Sequence, residues 1–95
     1  MIERHITFNV HPHRTAAFEA FFAEQYRPAM SAAPGFVKVD LLRELDQATR
    51  YLMVLRWDGP EAAAGWRTSD VHQALQPALV ALYSDNEIRA YHVLA

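Results

Sequence analysis

The side chains best suited to chemistry cluster in one stretch, "GWRTSDVHQAL", residues 65–75. His72 follows a helix-start signal, Ser69-Asp70, and falls in the first turn of the helix so begun. Free amide donors and the positive helix end lower the pKa of an imidazole in that position. Kept neutral, it could accept a proton from a phenolic ligand; left on the surface, it is a solvated first-turn residue. Trp66, just upstream, offers a flat face on which an aromatic ring can stack, or a plug for the space between helix and sheet. Arg56 sits in an otherwise apolar run, "YLMVLRW". Turned inward it would bind a substrate oxyanion; otherwise it makes a salt bridge at the rim. Trp57, beside it at a strand end, reads first as burial and second as a ligand contact. Phe22 and Tyr26 add two rings from an aromatic-rich first helix as candidate walls.

Other chemistries are not written in the chain. There is no cysteine, which excludes disulfides, thiolate metal sites and cysteine nucleophiles. His11 and His13 flank Pro12 as a His-x-His pair, but no third ligand accompanies them and the turn reads as exposed. The chain has 3 glycines, none clustered, so it carries no phosphate-binding loop or dinucleotide fingerprint. No cofactor is expected, and the expected ligand is a small apolar or aromatic molecule. A net charge of −2, with dispersed arginines, argues against a nucleic-acid surface. No apolar run reaches the length of a membrane span, and "MIERHITF" lacks a signal-peptide core. The cytoplasm is the expected compartment.

The elements that must position these residues follow from hydrophobic period. Residues 2–10 alternate as a half-buried strand, with Arg4 interrupting the apolar parity. From Thr15 to Met30 the spacing of Phe18, Phe21, Phe22, Tyr26 and Met30 is helical, with Pro28 expected to kink or shorten the last turns. Residues 36–44 and 50–57 read as a hairpin, Val37, Val39 and Leu41 sharing one face and the second strand apolar on both. Pro60 starts a short helix over 61–67. Val71, Leu75, Leu79 and Leu82 stripe the next helix, which Pro77 should split; "YSDNE" ends it and "IRAYHVL" forms the last strand. Ninety-five residues in this order make one α+β domain, residues 1–95. The arrangement is the ferredoxin-like split β-α-β-β-α-β, a four-stranded antiparallel sheet with helices on one face. The other face should expose apolar residues from all four strands, which predicts a homodimer.

The segments "HITFNVHP", "YRPAMSAAPGF", "LLRE" and "YLMVLRWDGPEAAAGWRTSDVHQAL" resemble the antibiotic biosynthesis monooxygenase superfamily over nearly the whole chain. The resemblance implies a dimeric α+β barrel, and a monooxygenase that uses no cofactor. The quinone-forming branch carries an Asn four residues before a strand-end Trp. Here the Trp is Trp57 and the matching residue is Met53, which cannot donate a hydrogen bond to an oxyanion. The haem-degrading branch has a Trp matching Trp66 and a haem-ligating His where this chain has Gln76, so the iron anchor is lost. Met53 and Gln76 thereby join the candidate substrate-binding residues. The same scaffold could also serve as a non-catalytic binding or assembly module.

Overall fold

The computed structural model describes residues 1–95. Strands β1 (Ile2–Val10), β2 (Phe36–Arg43), β3 (Arg50–Trp57) and β4 (Tyr83–His92) form one antiparallel sheet in the order β2-β3-β1-β4. Helices α1 (Thr15–Phe21), α2 (Arg27–Ser31), α3 (Pro60–Thr68) and α4 (Asp70–Val80) complete the ferredoxin-like α+β fold. Strict alternation sorts β1: Ile2, Arg4, Ile6, Phe8 and Val10 are buried under the helices, while Glu3, His5, Thr7 and Asn9 face the other way. Beside it Tyr51, Met53, Leu55 and Trp57 of β3 point inward, with Met53 paired to Ile6 and Leu55 to Arg4. No helix is long and apolar enough to cross a membrane.

The first helical unit is not a plain α-helix. Phe18, Phe22, Tyr26 and Met30, all buried, repeat every four residues. On a 3.6-residue helix each such step drifts by roughly 40°, so Met30 would point roughly 120° from Phe18. A π turn over Phe22–Tyr26 takes up that drift, its end marked by the Arg27 N–H donating to the Phe22 carbonyl. Pro28, which has no N–H to give to the turn below, sits in the first turn of α2 just beyond.

Several expected boundaries shift. The last strand begins at Tyr83 and pairs with β1 along its whole length, from Val10–Tyr83 to Ile2–His92. The polar run "YSDNE" has turn propensity, but ladder pairing overrides it on an edge strand, where charges are at home. Pro77 lies inside a continuous α4 and splits nothing; the helix forgoes one backbone hydrogen bond there. Val71 is exposed, so the buried stripe of that helix is Leu79 with Leu82 just beyond it. A register shift between Phe36 and Lys38 turns Val37 off the face it was expected to share with Val39. Just before it Gly35 takes φ 80°, accepts the Asp58 N–H at 2.9 Å, and packs so close to Ala62 that a side chain there would collide.

The helix-free face is more polar than expected. Its apolar residues are confined to β2 and β3, where Leu42, Leu52 and Val54 gather. β1 and β4 bring Glu3, His5, Thr7, Glu87 and Arg89 to the same face, with Tyr91 at the edge. Alternation places those polar residues opposite the buried parity.

Candidate active site

One serine fixes the relation of Trp66 to His72. The Ser69 hydroxyl donates to the Trp66 carbonyl at 2.7 Å, closing α3. The same oxygen accepts the His72 backbone N–H at 3.1 Å, capping α4. The two helices therefore meet at one atom, and the two rings lie with centroids 5.0 Å apart at 65°. Tyr26, aimed by the π turn, closes the group: its ring is 5.8 Å from Trp66 and 6.3 Å from His72, edge-on to both.

These rings line a cavity of about 110 Å³ between the helices and the sheet. Ile6, Met53, Leu55 and Leu79 form its apolar floor and back; Arg4, Gln76, Asn86 and Arg67 supply polar groups. The side towards β4 is open, since Ile88 is 52% exposed although it belongs to the inward face. The other side of Trp66 lines a shallow apolar groove with Ala33, Pro34 and Val71.

The state of His72 follows from its partners. Nδ1 lies 3.0 Å from the Arg67 carbonyl, so Nδ1–H is the donor. Nε2 then carries the lone pair and accepts the Gln76 side-chain N–H at 2.8 Å. Burial lowers the His72 pKa, the Arg67 carbonyl pulls it partly back, and the positive charges of Arg4 and Arg67 push it down again. The imidazole is neutral at pH 7, as its helix position suggests, although desolvation is the leading cause. Burial raises the Tyr26 hydroxyl above its ordinary value, against smaller opposing effects of Trp66 and Arg4.

Of the residues singled out in the sequence, His72, Trp66, Tyr26, Met53 and Gln76 meet in this cavity. Arg56 does not. It lies on the opposite sheet face, where its Nε donates to Glu3 at 2.6 Å and Glu3 also holds His5 at 2.7 Å. Parity explains this: Arg56 alternates with the inward Leu55 and Trp57. Trp57 is wholly buried behind Trp66, stacked on it at 6.3 Å, with its indole N–H unpartnered. Phe22 backs Tyr26 and carries the Arg27 guanidinium over its ring at 5.0 Å, outside the cavity. His11 and His13 are exposed, and no third metal-ligating side chain converges on them. Sequence reasoning missed Arg4, Arg67 and Asn86. Arg4 had a signal, as the one charge on the apolar parity of β1; Asn86 was hidden in a segment read as a turn.

Comparison with known proteins fits this geometry. A family model described as antibiotic biosynthesis monooxygenase matches residues 1–78. SnoaB, a cofactor-independent oxygenase from Streptomyces nogalater, is 26% identical, with a TM-score of 0.89 over 99% of this chain and 93% of its own. A Bordetella bronchiseptica protein carrying the same family description is 25% identical, with a TM-score of 0.88 over 99% of this chain and 97% of its own. A Deinococcus radiodurans protein shares the fold at 20% identity, with a TM-score of 0.89 over 100% of this chain and 94% of its own. No curated protein matches the sequence.

Proposed function

The chain belongs to the antibiotic biosynthesis monooxygenase family, and on that premise we propose that it is a cytoplasmic monooxygenase that oxidises a small phenol- or quinol-like substrate with O₂, using neither metal nor flavin. The observation that carries this reading is the neutral His72 set edge-on between Trp66 and Tyr26 at the cavity wall. A phenolic O–H entering beside Trp66 displaces the Gln76 amide from Nε2 and gives its proton to His72. The released Gln76 N–H then faces the oxygen that has become anionic, the service Met53 cannot perform. The electron-rich anion reduces O₂ itself. In the anthrone-like case a ring methylene and O₂ become a carbonyl and water, so all four electrons that reduce O₂ come from substrate. Trp66 and Tyr26 hold the ring, and the apolar floor excludes water.

A cavity of about 110 Å³ suits a single ring, judged against the roughly 150 Å³ cavity that holds benzene. A larger ligand extends through the open β4 side. A haem macrocycle is far too large, and Gln76 offers it no imidazole. A second reading, a binding module without turnover, is favoured by one detail: the lone pair of the would-be base is already occupied by Gln76.

An oxygen electrode separates the two readings. Chelated, flavin-free protein should consume O₂ with an anthrone or quinol panel, faster at higher pH. His72→Ala should lower turnover about a hundredfold or more, and Trp66→Ala should chiefly weaken binding. A wild type inert to the whole panel leaves the binding module as the better reading; activity that survives loss of His72 keeps the enzyme and removes its base. The homodimer belongs to the same proposal, with Leu42, Leu52 and Val54 as the centre of the interface.

A further inference from the structure

Arg4 is the one charged side chain among the buried residues, 9% exposed on the central strand β1. It takes part in none of the six ion pairs of the fold. Its neighbours across the sheet, Leu55 and Ala90, are apolar. It faces the cavity, and none of the 14 residues lining that cavity is Asp or Glu. Desolvation, and behind it the like charge of Arg67, lowers the Arg4 pKa. A buried lysine or histidine could shed its proton in such a place; a guanidinium cannot. No guanidinium nitrogen of Arg4 is both sealed from water and without a partner, so its head keeps solvent on the open β4 side; its side chain is desolvated all the same, and no carboxylate of this chain accompanies it. A second subunit packed on the helix-free face would not reach it either, because Arg4 points away from that face.

We propose that the ligand of this cavity supplies the missing anion: a hydroxylated aromatic carboxylate whose carboxylate sits on Arg4 while its ring lies against Trp66. The planar fork of a guanidinium matches a carboxylate with two parallel hydrogen bonds. Asn86, paired across from Phe8 on β4, lines the same space and can serve its remaining lone pairs. Ala90 beside Arg4 is small and exposed, which leaves the approach open. The inference rests on the reading of this cavity as the ligand site, but not on the oxygen chemistry proposed for it.

The test is binding, read by tryptophan fluorescence and by calorimetry. The probes are 2,5-dihydroxybenzoate and its methyl ester, which differ in the charge and by one methyl group. Wild type should hold the acid at least tenfold more tightly than the ester, with the preference shrinking as salt rises. Arg4→Met, which keeps an unbranched side chain without the charge, should bind both alike and melt at higher temperature than wild type when empty. Arg4→Lys should retain part of the preference, and it serves should the methionine variant not fold. Equal binding of acid and ester by wild type overturns the proposal, as does a preference that survives Arg4→Met. Inorganic phosphate competing as well as benzoate would also overturn the carboxylate assignment. Acid-selective binding with no O₂ uptake keeps this inference and refutes the oxygenase; O₂ uptake indifferent to the carboxylate does the reverse.

Discussion

Replacing Ser69 by alanine removes two hydrogen bonds made by one atom, and they are not equal. The Trp66 carbonyl keeps a partner, because the Ser69 backbone N–H also donates to it at 3.1 Å. The His72 N–H loses its only side-chain acceptor and has water as its replacement. The loss is therefore that of one N-cap, about 1 kcal/mol within a 0.5–2 kcal/mol range. For a domain of this size that corresponds to a fall in Tm of roughly 4–8 °C. Ser69→Asp separates the two roles: a carboxylate still accepts from His72 and favours the helix start, but cannot donate to Trp66. Thermal unfolding followed by far-UV circular dichroism, at one fixed protein concentration, should place Ser69→Asp close to wild type and Ser69→Ala well below it. If alanine leaves Tm within about 1 °C of wild type, or if aspartate falls as far as alanine, then the cap is not what joins α3 to α4 and the account of how Trp66 meets His72 fails.

Gly35→Ala should destabilise by at least about 1–2 kcal/mol from the positive φ alone, and by more because the new methyl meets Ala62, measured as a lowered urea midpoint with unchanged slope. His72 makes stability pH-dependent with a definite sign. Its folded pKa lies below the unfolded value, so its contribution is complete above about pH 6.5 and is lost as pH falls from there through the depressed folded pKa. Urea unfolding at pH 7.5 and 5.5 should show wild type losing more stability than His72→Gln; an equal loss would remove His72 as the cause. Val54→Asp puts a charge at the centre of Leu42 and Leu52, and should convert a dimer to monomer in sedimentation without loss of fold, whereas a wild type that is monomeric at micromolar concentration would end the dimer proposal. A hemin titration should give no sharp, stoichiometric Soret shift, since Gln76 stands where an axial ligand would be; a sharp shift lost in His72→Ala would reverse that.

The fold was legible because its period is local. Alternation over residues 2–10 and a cap at Ser69 or Asp70 are readable within a few residues; in the structure the alternation holds and Ser69 is the cap. The site was less so, because several of its members depend on pairing across the sheet. Asn86 enters the cavity through its pairing with Phe8, which "YSDNE" does not encode locally. Arg56 was obscured by a run apolar on both parities, although its alternation with Trp57 held the answer. Arg4 was noticed as an interruption rather than as a buried charge. Phe22 and Tyr26 look equivalent at helical spacing, yet Tyr26 reaches the cavity beside Trp66 and His72 while Phe22 lies one turn behind it, a distinction of position along the helix that residue type does not announce.

That turn contains, in effect, a spare residue. Deleting one residue between Phe22 and Tyr26 would let the segment relax to ordinary α geometry, with every remaining side chain unchanged in kind. Five residues in the wide turn rotate the chain about as far as four in an α turn, so the phase would hold, with Tyr26 still turned to the cavity and Met30 to the core. The same deletion in a plain α stretch would swing everything downstream by about 100°. The turn thus acts as a buffer for chain length. Two relatives could differ by one residue between their phenylalanines and their proline and still present the same wall to a ligand.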